Sequence, residues 1–152
     1  MYGRRRVGKT FLISNMFADR IIFETSGIIH GNSEDQFAAF NQSLRRIGYT
    51  GAYTKTWMDA FFALEQTLTP MLDPTKRQVI FIDELPWLDT PKSGFITACE
   101  GFWNTGACSR KNVMLVVCHR VILLNSAVPV GTTYFCILYH KSKKLQLFSE
   151  CS

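Results

Sequence analysis

The sequence predicts an α/β domain, a mainly parallel sheet with helices on both sides, built from βα units and incomplete by one strand. Three observations carry this expectation. Val79-Ile80-Phe81-Ile82 is a run of four apolar residues without alternation, the pattern of a strand buried on both faces of a parallel sheet. Amphipathic helical stretches lie between it and two other strand-like segments, Ile21-Ile22-Phe23 and Asn112 to Cys118. Gly3-Arg4-Arg5-Arg6-Val7-Gly8-Lys9-Thr10 is a glycine loop of the kind that joins a central strand to a helix, yet only Met1 and Tyr2 precede it. Either the chain is truncated at that end, or a segment from elsewhere fills the middle of the sheet. The choice bears on stability, because each buried backbone group left without a partner costs about 1 to 3 kcal/mol.

With 152 residues, 47% of them hydrophobic and 13% aromatic, the chain has material for one core. Its net charge of +5 and pI near 9.1 leave nucleic acid open as a partner, but the charge is spread along the chain. Arg4 to Arg6 form one short cluster, and Lys141, Lys143 and Lys144 another. Charge alone gives only salt-sensitive, unselective attraction. The five cysteines, Cys99, Cys108, Cys118, Cys136 and Cys151, are odd in number and lack paired zinc spacing, so reduced thiols are expected. No secretory signal and no apolar run of membrane-spanning length is recognisable, which makes the cytoplasm the expected compartment and excludes a membrane partner.

Taken in order, Lys9 to Phe17 reads as a helix with Phe11, Leu12 and Met16 on one side. Ile21 to Phe23 is a short buried strand; it runs into Glu24 to Gly27, a turn-like polar stretch, and on through His30 to Ser33, with His30 a loop histidine. Ser33 and Gln36 have capping-box spacing ahead of Phe37, Phe40, Leu44 and Ile47, which predicts an amphipathic helix ended by Gly48. Arg45 and Arg46 in its last turn oppose the negative end of the dipole. Trp57 to Leu68 is a second helix, with Met58, Phe61, Phe62 and Leu64 expected to supply apolar contact and Pro70 to close it. Gly94 to Phe102 is a third, with Trp103 to Gly106 as its exit. Arg110 and Lys111 precede the next strand, either as loop-solvating residues or as a charge-stabilising finger across a subunit contact.

Two stretches carry chemistry. The glycine loop matches the phosphate-binding pattern G-x-x-x-x-G-K-[ST] at every fixed position. Gly3 and Gly8 allow dihedrals that side chains forbid, so that backbone N–H groups converge on phosphate oxygens. Lys9 reaches the β- and γ-phosphates, Thr10 offers a hydroxyl to magnesium, and the following helix turns its positive end to the anion. Candidate nucleotide contacts are therefore Gly3, Arg4, Arg5, Arg6, Val7, Gly8, Lys9, Thr10 and Phe11. The second stretch is Asp83-Glu84, at the carboxyl end of the apolar strand, where open α/β sheets bind ligands. Asp83 is the candidate magnesium ligand with Thr10, and Glu84, together with Lys9, is the candidate catalytic residue.

Tyr2 to Thr10, followed by Phe81-Ile82-Asp83-Glu84-Leu85-Pro86-Trp87-Leu88, resembles the AAA-type P-loop ATPases of archaea and bacteria. Phe23 to Gly27, Phe102-Trp103-Asn104 and Asn112 to Cys118 are also similar to that family, so the resemblance covers Met1 to about Cys118. It implies a P-loop NTPase fold, ATP as nucleotide, Lys9 as phosphate ligand, Thr10 and Asp83 as magnesium ligands and Glu84 as catalytic acid. The choice of ATP over GTP rests on the resemblance, since a phosphate loop contacts no base.

On this reading residues 1–118 form the ATPase core and 119–152 a divergent segment. Where the family continues with glycine and small polar residues, this chain has His119 and Arg120, and no acid occurs between Glu100 and Glu150. Such a change in composition is what a reading-frame shift near codon 118 produces. Alternatively, Val121 to Leu124 and Tyr134 to Tyr139 are genuine strands of a divergent edge. The expected activity is magnesium-dependent ATP hydrolysis. The alternatives are a nucleotide-binding or interaction fragment without turnover, self-associating or bound to a partner protein, and, third, a basic nucleic-acid module.

Overall fold

In the computed structural model, residues 15, 17–105 and 112–118 are described in full, and 119–122, 132–140 and 143–149 by their backbone. The parallel part of the sheet is centred on β2 (Gln78–Asp83), in which Val79, Ile80, Phe81 and Ile82 are each 0% exposed, as an unbroken apolar run requires. β1 (Ile21–Ser26) and β3 (Val113–Ile122) flank it, both parallel, with Ile21 opposite Val79 and Gln78 opposite Val113. β4 (Thr132–His140) runs antiparallel to β3, and β5 (Lys143–Ser149) antiparallel to β4. The spatial order is β1-β2-β3-β4-β5.

The expected mainly parallel sheet therefore holds for three strands, and the five together make a mixed sheet. Its antiparallel part comes from the C-terminal stretch, where Val121 falls inside β3 and Tyr134 to Tyr139 inside β4. On the side of β3 away from β2, the neighbour is β4, a segment from later in the chain.

Alternate residues of β2 and β3 serve two cores. Ile80, Ile82, Val113, Leu115 and Val117 join the larger one with Phe23, while Val79, Phe81, Val116 and Cys118 form a smaller one on the opposite face with Phe17, Ile21 and Met114. A register shift between Ile21 and Phe23 inserts Ile22 as an extra residue. Ile21 consequently packs on the small core, and Ile22 and Phe23 both on the large one.

Three longer helices and one short one bring side chains to the larger core: α1 (Ser33–Arg46), α2 (Trp57–Leu68), α3 (Leu85–Leu88) and α4 (Phe95–Thr105). Phe40 of α1, Trp57 and Phe61 of α2 and Phe95 of α4 meet ring to ring at 4.8 to 5.5 Å. Each such buried ring contributes about 1.5 to 3 kcal/mol through area removed from water. These four helices lie on the face of the larger core, while Phe17, at the end of the segment expected as a helix from Lys9, packs on the opposite face. The segment expected as a helix from Lys9 lies outside the described residues except for Asn15 and Phe17, which have helical backbone.

Several local expectations change. β1 continues through Glu24, Thr25 and Ser26, because the ladder to β2 persists as far as Ser26 opposite Asp83. The cap of α1 is Asn32 with Asp35, one residue earlier than Ser33 with Gln36. Asn32 is extended and accepts from the Asp35 N–H at 3.0 Å, and the Asp35 carboxylate accepts from the Asn32 N–H at 2.9 Å. In α2 the buried stripe is Trp57, Ala60, Phe61, Leu64 and Leu68, which leaves Met58 and Phe62 64% and 61% exposed on the opposite side. α4 runs on through Trp103 to Thr105. Gly48 does end α1, with φ +98° after the Ile47 cap.

Candidate functional site

The ladder between β1 and β2 ends at the acidic pair. Ser26 lies opposite Asp83, and the Gly27 N–H donates to the Asp83 carbonyl at 3.0 Å, one step beyond the last strand residue. Asp83 Oδ1 accepts from the Glu84 N–H at 2.8 Å, a bond that turns the chain out of the strand. Glu84 then takes left-handed backbone, φ 54° and ψ 44°, a conformation that costs an L-residue roughly 1 to 2 kcal/mol. Its carbonyl accepts from the Trp87 N–H at 3.1 Å, which opens α3. Pro86 sits in the first turn, where no N–H is needed, and Leu88 anchors the turn at 2% exposure. Asp83 and Glu84 are both half-buried at the carboxyl end of the central parallel strand.

The loop from Gly27 to Asn32 lies against this turn. A Cβ built on Gly27 would stand 2.6 Å from the Glu84 carbonyl and 3.0 Å from the Trp87 Cβ, so the close approach requires glycine. His30, at φ 59°, places its ring edge-on to Trp87 with centroids 4.6 Å apart. Gln36, on the first turn of α1 and 3% exposed, holds the loop with its side-chain amide. Its Oε1 accepts from the Ile28 N–H at 2.8 Å, and its Nε2 donates to the Ile28 carbonyl at 2.8 Å and the Gly31 carbonyl at 3.3 Å. Farther along α1, the Ser43 hydroxyl donates to Thr25 Oγ1 at 3.3 Å and ties the helix to β1.

Of the residues singled out from the sequence, the structure sets Asp83 and Glu84 side by side at a strand end. Gly3, Arg4, Arg5, Arg6, Val7, Gly8, Lys9, Thr10 and Phe11 lie outside the described residues, as do Arg110 and Lys111. Gly27 and Trp87 bond to the backbone of the pair, His30 meets Trp87, and Gln36 holds the loop between them; sequence reasoning assigned none of the four to the pair. The capping pattern drew attention to Gln36, but as a helix start. Only its burial reveals the second use.

A separate small concavity of about 30 Å³, partly open to solvent, lies between α4 and β3 and is lined by Leu85, Phe95, Ile96, Cys99, Trp103 and Leu115 among others. Burial, with the Glu100 charge adding to it, pushes the Cys99 thiol up to about 12. That thiol is inert at neutral pH, and the concavity offers no convergent acid–base pair. Among the described residues no group of three His, Cys, Asp or Glu side chains gathers as a metal site, and no helix is long and apolar enough to cross a membrane.

Comparison with known proteins finds no family model, no curated protein and no solved structure that matches this chain.

Proposed function

We propose that the chain is the nucleotide-binding core of a P-loop ATPase of the AAA type, performing magnesium-dependent hydrolysis of ATP. The observation that carries the reading is the placement of Asp83-Glu84 at the carboxyl end of the central, fully buried parallel strand, together with the complete phosphate-loop pattern from Gly3 to Thr10 in the sequence. Strain at Glu84 supports it, since left-handed backbone in a non-glycine residue persists where surrounding structure holds it and is frequent at functional sites.

The donor set suits the metal. Magnesium takes oxygen ligands, keeps several waters and uses one or two protein groups beside the phosphates, a role open to the Asp83 carboxylate with the Thr10 hydroxyl. When bound, the ion neutralises charge on the phosphate oxygens. Lys9 adds a second positive charge there, and the amides of Gly3 to Gly8 cradle the phosphate chain. Glu84 orients the attacking water and accepts its proton as the water attacks the γ-phosphate in line; the bond from the γ-phosphorus to the β,γ-bridging oxygen breaks, and ADP leaves with that electron pair while inorganic phosphate forms.

The test is calorimetric titration with ATP and magnesium alongside a phosphate-release assay. Glu84→Gln retains binding while turnover collapses, and Lys9→Ala loses binding. Undiminished hydrolysis by Glu84→Gln sinks the assignment.

A second reading, a nucleotide-binding chain without turnover, draws on β4. The strand beside β3 is antiparallel and comes from the C-terminal segment, which differs from a strand leading into a phosphate loop. Saturable binding of ATP with no phosphate release separates the two.

A further inference from the structure

We propose that Gln36 is a positioning residue for the acidic pair, fixing the backbone of Glu84 through the loop that begins at Gly27. The inference rests on the ATPase reading for its consequence in turnover, and on geometry alone for its structural half.

Left-handed backbone at Glu84 relaxes unless its neighbours hold it. Two contacts come from outside the turn itself: the Gly27 N–H on the Asp83 carbonyl, and the Gly27 Cα face against the Glu84 carbonyl. Both depend on where Gly27 sits, and that depends on Ile28. Ile28 is 41% exposed, so burial does not anchor the residue. Its N–H and its carbonyl are instead both held by the carboxamide of Gln36, each at 2.8 Å. The third bond, to the Gly31 carbonyl, fixes the loop just after His30, whose ring meets Trp87 on the far side of the acidic turn.

Only a carboxamide satisfies this arrangement, because the loop presents one donor and two acceptors to a single buried side chain. A carboxylate keeps the bond from the Ile28 N–H and loses both donations. A thioether of similar length loses all three. The chain of contact therefore runs from Gln36 to Ile28, Gly27 and Glu84, and Gln36 acts without touching substrate.

The experiment compares the wild type with Gln36→Met and Gln36→Glu by amide hydrogen exchange and by steady-state ATP hydrolysis. In Gln36→Met the Gly27 and Glu84 amides exchange at least about tenfold faster, while those of Ile80 and Phe81 in β2 keep their protection. For the same variant kcat falls at least about tenfold with KM for ATP held within about twofold, the split expected when a catalytic group is misplaced and binding is left intact. Gln36→Glu, which sets a buried carboxylate against the two carbonyls, moves both readouts in the same direction, and it is the variant to read if Gln36→Met does not fold. Unchanged exchange at Gly27 and Glu84 overturns the positioning role whatever the activity. Wild-type kcat in a variant whose exchange has risen also overturns it. An inactive wild type overturns the ATPase reading instead, and the exchange data still decide the structural half.

Discussion

The carbonyl oxygen of Glu84 fills the place where a side chain on Gly27 would begin, 2.6 Å from the position of a Cβ. The opposing atom is backbone, which no rotamer change can move aside. Gly27→Ala therefore forces the loop and the acidic turn apart and destabilises the fold by about 1 to 3 kcal/mol, the range for overpacking a filled site. Urea unfolding against the wild type measures it. A loss below a few tenths of a kcal/mol contradicts the close approach.

Glu84 itself gives the opposite sign. Glycine accepts φ 54° without steric cost, so Glu84→Gly raises stability by about 1 kcal/mol, the released strain less the extra freedom of glycine in the unfolded chain. The same variant abolishes turnover on the proposed mechanism. A thermal melt that moves down contradicts the strain at this residue.

Asn41 is 3% exposed and bonds to Thr54 in both directions: its Nδ2 donates to the Thr54 carbonyl at 3.0 Å, and its Oδ1 accepts from the Thr54 N–H at 2.9 Å. Asn41→Leu strands those buried groups and costs about 2 to 3 kcal/mol. Chemical denaturation reads the loss, and a near-neutral result would show that water or a shifted loop replaces the amide.

Neighbouring phenylalanines on α2 differ sharply. Phe61 is 2% exposed and touches Phe40, Phe95 and Phe102, whereas Phe62 is 61% exposed. Phe61→Ala is expected to cost about 3 to 5 kcal/mol. Phe62→Ala stays within about 0.5 kcal/mol. Equal losses at the two positions contradict the helix orientation.

Cys99 makes stability fall with rising pH. Its folded pKa, about 12, lies above the unfolded thiol value of about 8.5, so the native chain binds one more proton between them. The contribution is fully present below pH of about 8.5 and is lost as pH rises toward 12, at roughly 1.4 kcal/mol per pH unit where the difference is a whole proton. Comparing the pH dependence of wild type and Cys99→Ala isolates this slope from other titrating groups. Parallel curves between pH 8.5 and 10 rule it out.

The sequence made some of this legible and hid the rest for physical reasons. β2 announced itself because a strand covered on both faces needs apolar residues without alternation, and Asp83-Glu84 followed as its polar end. α1 and α2 were readable as helices from their spacing, but the exposed side of α2 was not, because Met58 and Phe62 are as apolar as the residues that face the core. Ser26 sits in a strand through its partner Asp83, and no property of the polar stretch Glu24 to Ser26 reveals a partner more than fifty residues away. Gln36 was hidden for another reason. A buried carboxamide is specified by the backbone groups it meets, and those are positioned only once Gly27 and Ile28 have closed against the acidic turn.

The sheet also sets an order of assembly. Ile21 pairs with Val79, and Gln78 with Val113, so each parallel pairing must close a long loop of chain before it yields any contact. β4 and β5 are separated in sequence by two residues and pair antiparallel, a local closure on the microsecond scale. The slow step in folding is then the arrival of β1 and β3 on β2, and until it occurs the apolar run Val79 to Ile82 has two unpaired edges. During synthesis β2 emerges before β3, so the nascent chain carries Val79 to Ile82 through an interval in which aggregation competes with folding.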